Sequence, residues 1–231
     1  MKRHYILSLC FIFVYVLIAP SQTAIPSHCN SKEALESNVN KIISDFNLYI
    51  KELGYNLPAM PKAKIQTEPS LIRLDKSNNA IIVPYWDDLL NDQKEIFKSW
   101  TGENAEKFFI LMFNWFFIPH ELGHFINPKI HDIDPYTSEK EANEVAVLFL
   151  KRNPENLEKL NFIKKSISQI LGSLPKIEFG NMSEVDYFNT NYQKIGNDPN
   201  TYGYFQFKFI LDALNNQKNI SIRRYFDQVS K

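Results

Sequence analysis

Residues 104–125, NAEKFFILMFNWFFIPHELGHF, form the most apolar stretch of the chain. The apolar side chains fall on all sides of a helical wheel, which is typical of a helix that is buried all round. Pro119 interrupts the pattern, so we expect a kink or a restart of the helix there. The stretch ends in the motif His120-Glu121-Leu122-Gly123-His124.

This motif has the spacing of a metal site on a helix. Positions i and i+4 point the same way, so His120 and His124 can reach one ion at the ~2.0–2.1 Å of zinc–nitrogen bonds. Glu121 is rotated by about 100° and would lie beside the open coordination position, where it can accept a proton from water on the metal. A hydrogen-bonded structural cluster is the alternative, although burying these groups without a ligand carries a desolvation cost. The motif therefore predicts a Zn²⁺ site with Glu121 as the base.

The third ligand must come from farther along the chain. An extended histidine motif would need a Gly three residues after His124 and a His six residues after it. Asn127 and Ile130 occupy those positions, and His131 is one residue out of register. A Glu from the next predicted helix is then the favoured ligand type.

Helical phase separates the acidic candidates Glu139, Glu141 and Glu144. Glu139 shares a face with Ala142, Asn143 and Ala146, and small alanines would let this helix approach the motif helix closely. Phase therefore favours Glu139, while Glu141, Glu144 and His131 stay open, as does ordinary solvated charge at a helix start. Asn143 lies one turn after Glu139 and is a candidate to orient a ligand by a hydrogen bond; the alternative is a surface Asn.

The N-terminus has the order of a secretory signal peptide. Basic Lys2 and Arg3 precede an uncharged, mostly apolar run over 5–19, and small residues follow. We predict a signal peptide over 1–24 and a secreted or extracytoplasmic protein; an uncleaved anchor is the alternative, although the run is short for a membrane span. Cys29 would then be the one cysteine left, which excludes an intramolecular disulfide and a Cys-based zinc site.

The rest of the chain predicts a single α+β, mainly helical domain over 25–231. Short strands are expected at 65–67, 71–74 and 81–85, with a hairpin turn at 75–79. Helices are expected at Ser31–Leu53, at 87–100 and, after a loop at Asn127–Tyr136, from a cap at Thr137 or Ser138 to Arg152. Further helical candidates are Glu155–Leu171, Ser183–Tyr192, Tyr202–Asn215 and Ile220–Val229.

The charge balance limits the partners. The chain has 26 basic and 26 acidic residues. It therefore lacks the excess of basic residues that neutralises the phosphates of a nucleic-acid backbone, and we expect no nucleic-acid partner. We expect a peptide or protein substrate and no membrane span after signal removal. The sequence makes no prediction of an oligomeric state.

The motif residues resemble a known group of enzymes. His120-Glu121-Leu122-Gly123-His124 followed by Glu139-Lys140-Glu141-Ala142-Asn143 is similar to the gluzincin clan of zinc metallopeptidases, and most similar to secreted metallopeptidase families of unassigned function. The resemblance covers about residues 115–150. It implies His120, His124 and Glu139 as zinc ligands and Glu121 as the base. Families of this kind often place Asp where Asn143 stands.

The resemblance also implies a fold and an activity. The fold is zincin-like, with a small antiparallel sheet beside the HExxH helix and an edge strand that can receive an extended peptide. The implied activity is hydrolysis by a peptidase that uses Glu121 to activate water on the zinc. An aromatic stretch that includes Tyr187, Phe188, Tyr192 and residues 202–205 is expected to cover the cleft. Tyr202 or Tyr204 is a candidate oxyanion donor, with core packing as the alternative. The competing functions are a non-catalytic zinc-binding regulatory module and a metal-free helical interaction protein.

Overall fold

The computed structural model describes residues 29–68, 71–127 and 133–216. These residues form a mainly helical protein with one three-stranded sheet. The predicted signal peptide, the predicted helix at 220–229 and His131 lie outside the described residues. The helices are α1 (Lys32–Glu52), α2 (Asn91–Thr101), α3 (Ala105–Leu111), α4 (Phe117–Ile126), α5 (Pro135–Lys151), α6 (Leu157–Ser173), α7 (Glu184–Ile195) and α8 (Pro199–Asn215).

The sheet is mixed, so the prediction of an antiparallel sheet was wrong for one strand. The strands are β1 (Lys62–Ile65), β2 (Arg73–Asp75) and β3 (Ala80–Val83), in the order β1-β3-β2. β2 and β3 form the predicted antiparallel hairpin, whereas β1 pairs with β3 in parallel. The turn residues after β2 predict only that β2 and β3 run antiparallel. The segment between β1 and β2 carries the chain to the far side of β3, and no local sequence pattern predicts that path.

The hairpin turn is stabilised by its own side chains. The Asp75 carboxylate accepts hydrogen bonds from the Ser77 hydroxyl at 2.6 Å and from the Asn78 side-chain amide at 2.8 Å. Asn79 has φ 45°, a left-handed conformation that Asn tolerates better than most residues. The sheet order leaves β2 at one edge, where it contacts α4.

The apolar stretch forms one helical rod with a change of pitch in the middle. Residues Met112–Phe116 form a π-helical turn between α3 and α4, and the N–H of Phe117 donates to the carbonyl of Met112, five residues earlier. In a continuous α-helix the ring of Pro119 would meet the carbonyl of Trp115. The wider turn precedes this position, and Pro119 lies in the first turn of α4, where its missing N–H removes no α-helical bond. The predicted interruption is therefore real, but it begins before Pro119.

Helix α5 begins earlier than predicted. Its N-cap is Asp134, so the expected cap at Thr137 or Ser138 was wrong. The Asp134 carboxylate accepts the backbone N–H of Thr137 at 3.0 Å and its hydroxyl at 2.8 Å. Pro135 occupies the first helical position, where its fixed φ suits a helix start. The Asp-Pro pair therefore determines the start.

The other predicted helices are present with shifted ends. α1, α6, α7 and α8 cover most of the predicted ranges. α2 begins at Asn91 rather than at residue 87, because Trp86–Asp88 form a separate 3₁₀ turn. Among the described helices, none combines the length and apolarity that crossing a bilayer requires.

Two apolar clusters organise the helices. The larger one packs α1, the sheet, α3, α4, α5 and α6 around side chains such as Phe46, Ile81 and Trp115. The smaller, aromatic cluster centres on Phe188, Phe205 and Phe209 and joins α7 to α8. Tyr136 of α5 packs edge-on against Phe188 and Phe209. This second cluster brings α7 and α8 against the first half of α5.

Candidate metal centre

Helices α4 and α5 form the candidate site by packing closely against each other. A Cβ atom placed on Gly123 would lie 3.0 Å from the Cα atom of Ala142 and 3.4 Å from its Cβ atom. A glycine on one helix therefore faces an alanine on the other, as the small-residue face around Glu139 predicted. The short distance brings the side chains of one helix within reach of those of its neighbour.

Three donor atoms from these helices converge. His120 Nε2 and His124 Nε2 are 3.2 Å apart, and Glu139 Oε2 lies 3.4 Å from the first and 3.6 Å from the second. Ligand atoms ~2.0–2.1 Å from a tetrahedral ion stand roughly 3.3–3.4 Å apart. The observed triangle therefore has nearly the dimensions of one face of a tetrahedral coordination shell. Among the described residues, this is the His/Cys/Asp/Glu group that could hold a metal ion.

Hydrogen bonds can account for at most the two shorter edges of this triangle, because the 3.6 Å between His124 Nε2 and Glu139 Oε2 is beyond hydrogen-bond distance. A positive ion among the three atoms would attract all of them at once.

The charge state of Glu139 suits a ligand. Its side chain is only 5% exposed, and burial alone would raise its pKa. The neighbouring imidazoles of His124 and His120 outweigh burial and hold the pKa of Glu139 well below its ordinary value. In His124 burial acts to lower the pKa, but Glu139 and Glu121 raise it overall. A pKa held below its ordinary value keeps the carboxylate ionised, which is the form in which a carboxylate binds metal.

The outer nitrogens of the two histidines have different surroundings. His124 Nδ1 lies 3.3 Å from the Ser138 hydroxyl, a contact that can orient the ring with Nε2 toward the centre. His120 Nδ1 is buried and has no hydrogen-bond partner among the described residues. Edge-on packing of the ring against Phe117 and His124 holds His120 instead.

Glu121 lies beside the triangle without joining it. Its side chain is 7% exposed and is not part of the converging donor group. Burial raises the pKa of Glu121, and the two imidazoles together with a backbone hydrogen bond from Leu74 of β2 oppose the rise. The edge strand therefore meets the motif helix at this carboxylate. A buried carboxylate with a raised pKa has the properties expected of a general base.

Two further side chains bind Glu139, and sequence reasoning had assigned neither of them this contact. The Gln206 amide of α8 donates to Glu139 Oε2 at 2.7 Å, and the Tyr192 hydroxyl of α7 donates to Oε1 at 3.0 Å. The sequence places Tyr192 in the predicted aromatic stretch, whereas no sequence pattern singles out Gln206. A polar residue between Phe205 and Phe207 was the available signal, because a buried amide must find partners.

Asn143 supports this arrangement. Its Nδ2 donates to the backbone carbonyl of Glu139 at 2.9 Å and to Gln206 Oε1 at 3.1 Å. The residue is fully buried, so it is not a surface Asn. Its contacts with Glu139 and Gln206 are of the orienting kind that the sequence suggested.

The other candidates lie outside the triangle. Glu141 accepts a hydrogen bond from the Asn127 side chain at 3.1 Å, and the half-buried Glu144 is absent from the donor group. The Tyr202 hydroxyl accepts from Gln206 at 3.1 Å and is near the site, whereas Tyr204 packs edge-on against Phe205 in the aromatic cluster. Of the two candidate tyrosines, Tyr202 is thus the one adjacent to the site.

No family model, curated protein or solved structure matches the chain. The conclusions about this chain therefore rest on its own structure. It is a mainly helical α+β protein in which a buried His120–His124–Glu139 group could hold a metal ion.

Proposed function

We propose that the chain is a secreted, zinc-dependent hydrolase of the gluzincin type, and specifically a peptidase. The convergence of His120 Nε2, His124 Nε2 and Glu139 Oε2, with Glu121 beside them, is the observation that carries the proposal. Two neutral nitrogens and one carboxylate oxygen are the ligand set of many catalytic zinc sites, which keep one position open. Secretion rests on the N-terminal pattern of residues 1–24 alone.

Zinc is the metal that the donor types favour. Imidazole suits Zn²⁺, Cu²⁺ and Ni²⁺, whereas Mg²⁺ and Ca²⁺ prefer an all-oxygen environment. When bound, zinc would supply Lewis acidity and lower the pKa of a water molecule toward ~7. His120, His124 and Glu139 would hold the ion, and Glu121 would remain free to exchange protons.

Glu121 supplies the proton transfers of the proposed reaction. Its carboxylate accepts a proton as water attacks the carbonyl carbon of the scissile amide. It then returns this proton to the leaving nitrogen as the carbon–nitrogen bond breaks.

The position of β2 supports an extended peptide as the substrate. β2 is an edge strand next to α4, and its residue Leu74 contacts Glu121. A peptide that paired with this edge would run past the carboxylate that performs the proton transfer. The same edge strand would thus provide both substrate alignment and a contact to the base.

The test is metal content together with cleavage of a diverse peptide library. The purified protein should carry about one zinc per chain by elemental analysis. Glu121→Gln should keep zinc and fold but lose hydrolysis by ~10²–10⁴-fold, because Gln has a similar shape and cannot accept the proton. Glu144→Gln is the matched control, half-buried and outside the donor group, and should keep its activity.

Three outcomes would contradict the proposal. Absence of zinc after reconstitution would remove the metal site. Tight zinc binding with no cleavage of any library peptide would instead favour a zinc-binding regulatory module. If Glu121→Gln were as active as the unaltered protein, the base would be another residue.

A further inference from the structure

Gln206 is a buried polar residue in an apolar helix. It is 2% exposed and lies between the buried side chains of Phe205 and Phe207 on α8. Burying a side-chain amide is unfavourable unless its hydrogen bonds are made. All of the partners of Gln206 described above belong to, or adjoin, the candidate metal centre.

We propose that Gln206 and Tyr192, with Asn143, form a clamp that holds Glu139 in the orientation that binds metal. This inference rests on the proposed metal site and adds positioning residues to it. We call the three residues the Glu139 clamp. They come from α5, α7 and α8, and two of them lie more than 50 positions from Glu139 in the sequence.

The clamp holds each carboxylate oxygen separately. Gln206 donates to Oε2, the oxygen that faces the two imidazoles, and Tyr192 donates to Oε1. Rotation of the carboxylate would break both hydrogen bonds. The ligand oxygen is therefore already oriented before an ion arrives, which reduces the ordering cost of binding.

Asn143 determines which way the Gln206 amide faces. It donates to Gln206 Oε1, so the Gln206 NH₂ group is directed to Glu139 and to the Tyr202 hydroxyl. The same Asn143 nitrogen donates to the Glu139 backbone carbonyl, which closes a ring of hydrogen bonds around one residue. An ionised Asp at this position could make neither donation. The clamp thus gives a physical reason for Asn rather than Asp at position 143.

The first experiment compares Gln206→Met with the unaltered protein and with Gln193→Met. Met has a similar length and cannot donate, whereas Gln193 is exposed on α7. Zinc affinity, measured by competition with a chelator, should fall by about 10–100-fold in Gln206→Met, as is usual when a ligand loses its supporting hydrogen bond. Gln193→Met should bind zinc as the unaltered protein does.

A readout that reports on geometry separates positioning from general stability. The visible absorption of the Co²⁺-loaded protein depends on the coordination geometry and should change in Gln206→Met. The melting temperature of the metal-free form shows how much of any loss is simple destabilisation. Asn143→Ala should also weaken zinc binding, but much less so in the Gln206→Met background, because it acts largely through Gln206.

Tyr192→Phe keeps the test decisive if Gln206→Met does not fold. Tyr192 is half-buried, and Phe preserves its ring while removing the donor to Oε1. We expect zinc affinity to fall by about tenfold, near the lower end of such effects. Tyr187→Phe is the matched control, since its ring stacks on Phe205 in the aromatic cluster.

The outcomes distinguish this inference from the proposed function. Unaltered protein that binds no zinc would overturn both. If it binds zinc and the Gln206→Met and Tyr192→Phe variants bind within twofold of it, with unchanged Co²⁺ spectra, the clamp is wrong and the metal site stands.

Discussion

Glu139 is the residue at which most of the candidate centre's interactions meet. Its carboxylate is close to both imidazoles and accepts hydrogen bonds from α7 and α8, and its backbone carbonyl accepts one from Asn143. A buried carboxylate with so many positive or donating neighbours stays ionised despite its burial. Removing it would leave His124 and the Gln206 amide without their buried partner.

Glu139→Ala should therefore abolish tight zinc binding. We expect the affinity to fall by more than ~100-fold, beyond the effect of losing a supporting contact, because an ion would keep only two protein ligands. Glu141→Ala and Glu144→Ala are the controls, since both lie on α5 outside the triangle. Isothermal titration with Zn²⁺ measures all three. If Glu141→Ala lost the metal and Glu139→Ala retained it, the assignment by helical phase would be wrong.

At the scale of elements, the contact between α4 and α5 determines where these residues meet. Local spacing could predict both helices, the paired histidines and the small-residue face that favoured Glu139. It could not predict the π turn, because an i to i+5 hydrogen bond has no short sequence pattern in this apolar stretch. The parallel pairing of β1 also escaped prediction, because it depends on the path between β1 and β2 rather than on either strand.

Gly123→Ala tests this helix contact. The added Cβ would be 3.0 Å from the Cα of Ala142 and 3.3 Å from its carbonyl oxygen, so α5 would have to move. Overpacking costs about 1–3 kcal/mol, whereas replacing a helical Gly by Ala gains roughly 0.5–1 kcal/mol. We expect a net destabilisation of up to about 2.5 kcal/mol and weaker zinc binding, because the movement shifts Glu139 away from the histidines.

Gly172→Ala is the control for this substitution. Gly172 lies in α6, and a Cβ there would meet no atom within 4 Å. It should leave zinc binding unchanged and raise the stability slightly by helix propensity. Urea denaturation gives the free energy of unfolding of both variants. Equal effects of the two substitutions would show that the α4–α5 contact is looser than described.

At the scale of the whole molecule, the site joins helices that are far apart in the sequence. α4 and α5 supply the three donor atoms, and the aromatic cluster holds α7 and α8 against α5 so that Tyr192 and Gln206 reach Glu139. Gln206 is 67 positions from Glu139, and only the packing of α8 brings them together. Sequence spacing therefore predicted the three converging donors and Asn143, but not the contacts of Tyr192 and Gln206 with Glu139.

Metal removal should destabilise the whole fold. The three donor atoms come from α4 and α5, so an ion would cross-link the helical rod that ends in α4 to α5. A ligand that binds only the folded state adds about 2.7 kcal/mol of stability at a free concentration 100-fold above its dissociation constant. For a domain of this size each 1 kcal/mol changes Tm by roughly 2–4 °C, so stripping zinc with a chelator should lower Tm by about 5–11 °C. Adding Zn²⁺ back should restore Tm, whereas Mg²⁺ and Ca²⁺ should not, because they prefer oxygen ligands. Glu139→Ala provides the control, since its Tm should not respond to zinc; an equal response would show that the stabilising ion binds elsewhere.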